Sequence, residues 1–362
     1  MSQTLLFIPD ISGFTEFVNN TAVEHSHHII AELLEKLIDA NELGLELVEV
    51  EGDALFFHRE GDLPSLPELM SQVERMTVAF HQHLMRYNHQ RICQCGACKT
   101  AVNLKLKFVA HSGPIQYIEV AGRRKPYGKD VIQVHRLLKN QVPTSEYLLV
   151  SHYLADRLEK WDEHKHQFHH LKEQYDGHSV PYFYREVSKF REDLPPPELR
   201  SISFETTNPL TLDLHVDRAP EELFEVISNF KYRKLWNTEP DFLFEESHLN
   251  RAGMTHVCIV DDREILFETV KKGDSDNPFV YGEKTRDIPM MEYVSSYFSV
   301  EENNQGSYLR FELYLKPKSF AAKILTPFIK TQARRRSRKL LEQLKSVAEG
   351  KADLKLQKSV EA

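Results

Sequence analysis

Residues 5–15 read LLFIPDISGFT, and this stretch decides how the first half of the chain folds. The four apolar residues at positions 5–8 predict a strand that is buried on both faces. Asp10 follows at the end of that strand, so its carboxylate would be held at an open sheet edge, where a hard cation can bind. The same carboxylate could instead cap the helix that begins after Ser12 and Gly13.

A second acid lies at the end of another β-prone run. Residues 47–57 read LVEVEGDALFF, in which Gly52 and Asp53 predict a hairpin turn between two strands. Two acids on neighbouring strand ends favour metal binding by Asp10 over simple helix capping.

The segments FIPDISGFT (7–15) and EGDALFF (51–57) resemble the two metal-binding signatures of class III nucleotidyl cyclase catalytic domains. The resemblance implies that Asp10 and Asp53 together hold two Mg²⁺ or Mn²⁺ ions. It also implies that the metal ligands and a catalytic arginine come from opposite subunits of a dimer. We therefore expect a homodimer and a nucleoside triphosphate as substrate.

Two later segments extend the resemblance. Residues 104–114 read LKLKFVAHSGP, similar to the family's strand with a His-x-Gly-Pro turn, and residues 127–140 read YGKDVIQVHRLLKN. Aligning on Gly128 puts Arg136 at the position of the arginine that stabilises charge on the α-phosphate. The same alignment puts Ile132 where the family has a ribose-orienting Asn, and Ile cannot form that hydrogen bond.

Glu49 and Lys125 fall at the positions that read the base in this family. Adenylate cyclases have Lys where this chain has Glu49, guanylate cyclases have Glu, and the Asp partner corresponds to Lys125. The two residues look like a charge-swapped adenine-reading pair, so we expect ATP not to be the preferred nucleotide. The alternative is that both are ordinary surface charges.

Cys93, Cys95 and Cys98 lie together in CQCGAC. The C-x-C-x-x-C spacing offers three thiolates to a zinc ion or an iron–sulfur cluster. A fourth ligand would have to come from elsewhere, with His89 and Cys258 as the candidates. The alternative is three reduced thiols in a tight loop before a strand.

The length suits two domains, and the order of elements and the family resemblances imply that they are of α+β class. The chain has 362 residues, a formal charge of −8 and four cysteines, which argues against nucleic-acid binding and against a disulfide framework. Neither a signal peptide nor a membrane span is evident, so we expect a cytoplasmic protein. Residues 1–190 would form a ferredoxin-like βαββαβ cyclase-type domain, and the Pro-rich segment 191–204 a linker.

Residues 205–350 resemble a helix-grip, START-like domain, which combines a curved antiparallel sheet with a long C-terminal helix, and residues 351–362 would be a tail. The resemblance implies an apolar pocket between sheet and helix, and hence a lipid-like or aromatic ligand. A packed interaction module without a ligand is the alternative. The basic run RRRSRK (334–339) predicts a solvated helix face, and we expect no membrane contact.

The expected activity is conversion of a nucleoside triphosphate into a 3′,5′-cyclic nucleotide and pyrophosphate by a two-metal mechanism. The alternative is a catalytically degenerate nucleotide-binding or sensory module whose C-terminal domain binds a hydrophobic ligand. Ile132 favours the alternative, whereas the charges of Asp10, Asp53 and Arg136 favour an enzyme, because two neighbouring carboxylates without a metal would repel each other.

Overall fold

The computed structural model describes residues 3–19, 23–175, 177–192, 194–195, 201–238, 241–243, 250–260 and 262–350. Two compact units divide the chain: unit 1 comprises Met1–Arg86 and Thr100–Pro197, and unit 2 comprises Tyr87–Lys99 and Glu198–Ala362. Most of the Pro-rich run in the expected linker and the whole of the expected tail, 351–362, lie outside the described residues.

Unit 1 is built on a seven-stranded sheet in the order β2-β3-β1-β4-β7-β9-β8, with β5 and β6 forming a separate hairpin. Only the β4–β7 pairing in this sheet is parallel. The strands are β1 (Thr4–Ser12), β2 (Glu46–Glu51), β3 (Ala54–Glu60), β4 (Lys105–Gly113), β5 (Gln116–Val120), β6 (Arg123–Tyr127), β7 (Tyr147–Ser151), β8 (His169–Tyr175) and β9 (His178–Glu186).

The apolar run at the start of β1 is fully buried in the middle of this sheet, as its composition predicts. Helix α3 buries the stripe that its sequence spacing predicts, through Leu69, Val73, Met76, Phe80 and Leu84. The helices that begin in this part of the chain are α1 (Phe14–Asn19), α2 (Val23–Asp39), α3 (Leu66–His89), α4 (Gly96–Thr100), α5 (Lys129–Leu137), α6 (His152–Ala155), α7 (Trp161–His164) and α8 (Lys189–Glu192), with 3₁₀ turns at Ala101–Asn103 and Lys165–Gln167.

Unit 2 contains an antiparallel sheet in the order β11-β17-β16-β15-β14-β13-β12, and the short strand β10 pairs in parallel with β14. Its long helix α11 begins at an N-cap, Ser319, whose hydroxyl accepts a hydrogen bond from the Ala322 amide. The elements are β10 (Ile202–Ser203), β11 (Leu210–Val216), α9 (Pro220–Ser228), α10 (Phe230–Trp236), β12 (Asp241–Leu243), β13 (Thr255–Val260), β14 (Arg263–Lys272), β15 (Val280–Thr285), β16 (Met291–Asn303), β17 (Gly306–Pro317) and α11 (Phe320–Ala348).

Residues 87–99 pack with unit 2, although the chain on both sides of them belongs to unit 1. Ile92 lies in the hydrophobic core of unit 2 beside residues of β11, α9 and α11. The Ala252 amide donates to the Gln90 carbonyl at 2.9 Å, and Gln94 Nε2 donates to the Pro278 carbonyl at 2.9 Å. The segment that carries the three clustered cysteines is therefore structurally part of unit 2.

The chain is of mixed α+β class, as the sequence predicts. Among the described residues, none of the helices is both long enough and apolar enough to cross a bilayer. Helix α11 is the longest, and four large apolar side chains near its start, Phe320, Ile324, Leu325 and Phe328, are exposed.

Candidate functional site

Asp10 and Asp53 lie at the same end of neighbouring strands, where β1 ends and the β2–β3 hairpin turns. Asp10 lies near the end of β1, opposite Ala54 of β3 and Lys107 of β4. Asp53 lies in the turn between β2 and β3, which Gly52 closes with a φ of +71°. The Ile11 amide donates to the Asp53 carbonyl at 3.0 Å, so the hairpin turn is fixed beside the end of β1.

Lys107 lies beside this pair, and the sequence analysis did not predict it as a site residue. Its Nζ lies 3.2 Å from Asp10 Oδ1, and both side chains are largely buried. Burial raises the pKa of Asp10, with the Lys107 charge opposing the shift. Burial, followed by the neighbouring Asp10 charge, raises the pKa of Asp53. The two carboxylates thus form a partly desolvated acidic pair that one lysine does not fully compensate.

Glu49 and Lys125 form an ion pair with each other. Lys125 Nζ lies 2.9 and 2.8 Å from the two carboxylate oxygens of Glu49, and it joins β6 to β2. Both side chains are more than 40% exposed, so the ion pair contributes little to stability. Its polar groups are accessible to a ligand.

Helix α5 carries Arg136 and Ile132, and it packs against β1 and β4. Arg136 is partly buried near the end of the helix, whereas Ile132 is 52% exposed. His135, beside Arg136, was not predicted as a site residue. Its Nε2 lies 2.9 Å from Glu51 Oε1, and its Nδ1 lies 2.8 Å from the Val131 carbonyl oxygen. His135 therefore links α5 to the residue that directly precedes the Gly52–Asp53 turn.

A buried polar chain fixes the start of α5. His111 Nδ1 lies 2.7 Å from Ser151 Oγ, and His111 Nε2 lies 3.2 Å from Asp130 Oδ1. All three residues are buried, so this Ser-His-Asp set positions α5 and is not presented to a substrate. Gly113 makes room for it, because a Cβ at that position would lie 2.2 Å from Asp130 Cγ. His111 to Gly113 therefore belong to strand β4 and not to a turn, and the glycine of the His-x-Gly-Pro segment is a packing requirement.

A cavity of about 400 Å³ lies in unit 2 between the sheet and α11. Its walls are mainly apolar and include Phe267, Val294, Phe298, Phe311, Leu313, Ile329 and Leu340. Arg233 and Glu283 form a buried ion pair in its lining, with Arg233 Nη2 2.6 Å from Glu283 Oε1. Burial acts to raise the pKa of Glu283, but the charges of Arg233 and His256 and the hydrogen bonds from Tyr281 and Arg233 together hold it below its usual value. Among the described residues, Arg233 Nε finds no hydrogen-bond acceptor.

The sulfur atoms of Cys93, Cys95 and Cys98 all lie within 4.8 Å of one another. The Cys95 amide donates to Cys93 Sγ at 3.4 Å, and the Cys98 amide donates to Cys95 Sγ at 3.5 Å. Cys258 is not part of this group. Burial, with a smaller contribution from the Glu283 charge, raises the pKa of its thiol to about 12, and the Arg233 charge opposes this shift.

A family model described as a protein of unknown function (DUF2652) matches residues 30–147, less than half of the chain. An uncharacterized protein of Mycobacterium tuberculosis, Rv2561/Rv2562, is 37% identical over 131 residues, which are 36% of this chain. The match spans 61% of that relative's length. Neither comparison supplies a function.

Solved structures that are similar in part fall into two groups. The adenylyl cyclase CyaB of P. aeruginosa is 15% identical and covers 54% of this chain and 97% of its own, with a TM-score of 0.35. A guanylyl cyclase domain from Blastocladiella emersonii is 14% identical, covering 51% and 96%, with a TM-score of 0.34. A START superfamily protein from Mycobacterium smegmatis is 14% identical, covering 40% and 99%, with a TM-score of 0.32. Similarities of this strength assign no function.

Replacing Asp53 by Asn should stabilise the metal-free protein at neutral and higher pH. Because the folded-state pKa values of Asp10 and Asp53 are raised, their contribution to stability is complete below the ordinary carboxylate pKa and is lost as pH rises through the folded value. Asn removes one of the two charges. Urea unfolding in a chelator at about pH 4 and about pH 8 should show a larger gain at the higher pH.

The matched control is Asp62→Asn, which removes an exposed carboxylate in the turn after β3. It should leave the free energy of unfolding nearly unchanged at both pH values. An Asp53→Asn protein that is no more stable than the parent at about pH 8 would contradict the desolvated acid pair.

Proposed function

We propose that unit 1 is a nucleotidyl cyclase-like domain with a ferredoxin-like βαββαβ core. The strand order β2-β3-β1-β4, with every pairing antiparallel, supports that core. The observation that carries the functional proposal is the convergence of Asp10 and Asp53, from separate segments, into one partly desolvated pair. Such a pair favours a bound cation over two neighbouring free carboxylates.

The residues present fit Mg²⁺ or Mn²⁺, since Asp10 and Asp53 offer the carboxylate oxygens that hard cations prefer. When bound, the ions would neutralise charge on the phosphates and polarise the group under attack. Lys107, 3.2 Å from Asp10, adds positive charge beside the same pair and would attract the triphosphate.

The reaction would be an attack of the ribose 3′-oxygen on the α-phosphate. A new P–O bond forms, the bond to the β-phosphate breaks, pyrophosphate leaves, and the hydroxyl proton passes to solvent. Arg136 would stabilise the charge that grows on the α-phosphate oxygens. The family resemblance implies a homodimer, because in that family the metal ligands and the arginine come from different subunits.

Two observations favour the second candidate, a nucleotide-binding or sensory module without turnover. Ile132 is exposed on α5 where the resemblance requires an amide, so nothing at that position orients the ribose. Lys107 already neutralises part of the acidic pair. The residue at position 132 affects the chemical step more than binding, so the two candidates share a nucleotide site and differ in turnover.

For unit 2 we propose a helix-grip fold that binds an apolar ligand. The seven-strand antiparallel path and the long helix α11 support the fold, and the cavity between them supports the ligand. A volume of about 400 Å³ lies within the range of small-molecule sites. Because Arg233 Nε lacks an acceptor among the described residues, a ligand with one acceptor group at its end would satisfy it.

Asp10→Asn and Asp53→Asn should each abolish Mn²⁺-dependent nucleotide binding. Each variant removes one hard anionic ligand from a site with only two, so apparent affinity should fall by at least about tenfold. Titration calorimetry with each of four nucleoside triphosphates, with and without Mn²⁺, measures this. Asp62→Asn serves as the control and should bind as the parent does. Unchanged binding by both site variants would refute the proposed site.

The double variant Glu49→Lys/Lys125→Asp should shift base preference toward adenine. It keeps an ion pair across the same two strands but installs the residue types that the adenylate cyclases use. The parent should favour GTP over ATP, because unmatched polar groups against the wrong base remain unpaired. The measured quantity is the ratio of the two apparent Kd values. A ratio that does not change would show that the pair does not face the base.

Ala333→Trp should prevent binding of an apolar fluorescent probe to unit 2. Ala333 lines the cavity from α11, so an indole there would occupy space that the ligand needs. The control is Ala321→Trp, at an exposed position on the same helix outside the cavity lining. If both variants bind the probe with the parent's affinity, the cavity is not the ligand site.

A further inference from the structure

The cluster of Cys93, Cys95 and Cys98 has the spacing of ligands around a single metal ion. Zinc–sulfur bonds of about 2.3 Å in a tetrahedron put neighbouring sulfurs roughly 3.8 Å apart. The three sulfur atoms here lie within 4.8 Å of one another, close to that value. A four-iron cluster binds each thiolate to a different iron atom, which holds the sulfurs farther apart. The geometry therefore favours one ion over an iron–sulfur cube.

Hydrogen bonds to Cys93 and Cys95, together with burial, raise the pKa of the Cys98 thiol in the metal-free protein, but two backbone amides and one arginine lie at the cluster. The amides of Cys95 and Cys98 donate to the sulfurs of Cys93 and Cys95, and such N–H···S contacts stabilise thiolates. Arg91 Nη1 donates to the Cys98 carbonyl at 3.3 Å, which brings a permanent positive charge to the same loop. Three thiolates around Zn²⁺ carry a net charge of −1, and Arg91 would offset it.

We propose that Cys93, Cys95 and Cys98 bind one zinc ion through three thiolates. The described residues add no fourth Cys, His, Asp or Glu to the group, which excludes Cys258 and His89 as direct ligands here. Cys98 is buried, whereas Cys93 and Cys95 are partly exposed, so the remaining coordination position faces the side open to solvent. On binding, the three thiols release their protons to the buffer.

Other contacts hold the first part of residues 87–99 on the rest of unit 2. Besides the Gln90 and Gln94 contacts, Lys271 Nζ donates to the His89 carbonyl at 2.5 Å, and the Arg251 guanidinium lies over the Tyr87 ring at 5.1 Å. The cysteine cluster follows directly after these contacts in the chain, with Gln94 inside it. A zinc ion bound by three residues within six positions would rigidify the cluster, as structural zinc does elsewhere.

The test is the metal content of the full chain, purified without added metal and without chelator. The parent should contain about one zinc per chain and no acid-labile sulfide. Cobalt exchanged into the site should give sulfur-to-cobalt charge-transfer absorption and the intense visible bands of a tetrahedral ion. Cys93→Ser and Cys95→Ser, at the partly exposed positions, should reduce zinc retained after dialysis by at least about tenfold.

Cys258→Ser is the matched control, because it removes a thiol of unit 2 outside the cluster. It should retain the parent's zinc and cobalt spectrum. Metal-free parent protein that takes up no cobalt would overturn the proposal, and so would iron with labile sulfide, a disulfide among the three cysteines, or equal zinc in the Cys93→Ser protein. None of these results depends on nucleotide binding by unit 1.

Discussion

The acidic pair of Asp10 and Asp53 is the constraint around which unit 1 is arranged. Asp10 lies near the end of a central strand that is mostly buried. Asp53 lies beside it in a hairpin turn that a glycine closes. Burial raises the pKa of both carboxyl groups, and the Asp10 charge raises that of Asp53 further. Such an arrangement is unfavourable in a metal-free fold, and a bound cation would offset the repulsion. That is the pattern expected when a site is built for function at the expense of stability.

The neighbouring contacts hold this end of the sheet in place. Lys107 supplies part of the missing positive charge, the His135–Glu51 contact ties α5 to the strand before the hairpin turn, and the His111–Asp130 contact fixes the start of α5. Arg136 and Ile132 therefore lie on a helix that is anchored at two points. A substitution at Ile132 would act on substrate orientation more than on the position of the helix.

Local patterns in the sequence predicted individual strands, turns and helices. Contacts between residues far apart in the chain depend on how the strands pair, and the sequence did not predict them. The apolar run before Asp10, the Gly52–Asp53 turn and the stripe of α3 depend on neighbouring residues only, and all three are present. The Lys107–Asp10 contact depends on the pairing of β1 with β4, which a single sequence does not specify. The packing of residues 87–99 on unit 2 is equally non-local. The position of Gly282 in strand β15 is also set by a distant residue, because the Tyr297 ring lies 2.5 Å from where a Cβ would be.

The central claim is that the acidic pair supports metal-dependent cyclisation, and a product assay tests it most directly. Purified protein is incubated with Mn²⁺ and each of ATP, GTP, CTP and UTP, and the products are separated by chromatography against 3′,5′-cyclic standards. The account predicts a cyclic product, more from GTP than from ATP, that disappears in the Asp10→Asn protein. No cyclic product from any of the four nucleotides, or a product that Asp10→Asn forms as fast as the parent, would contradict it.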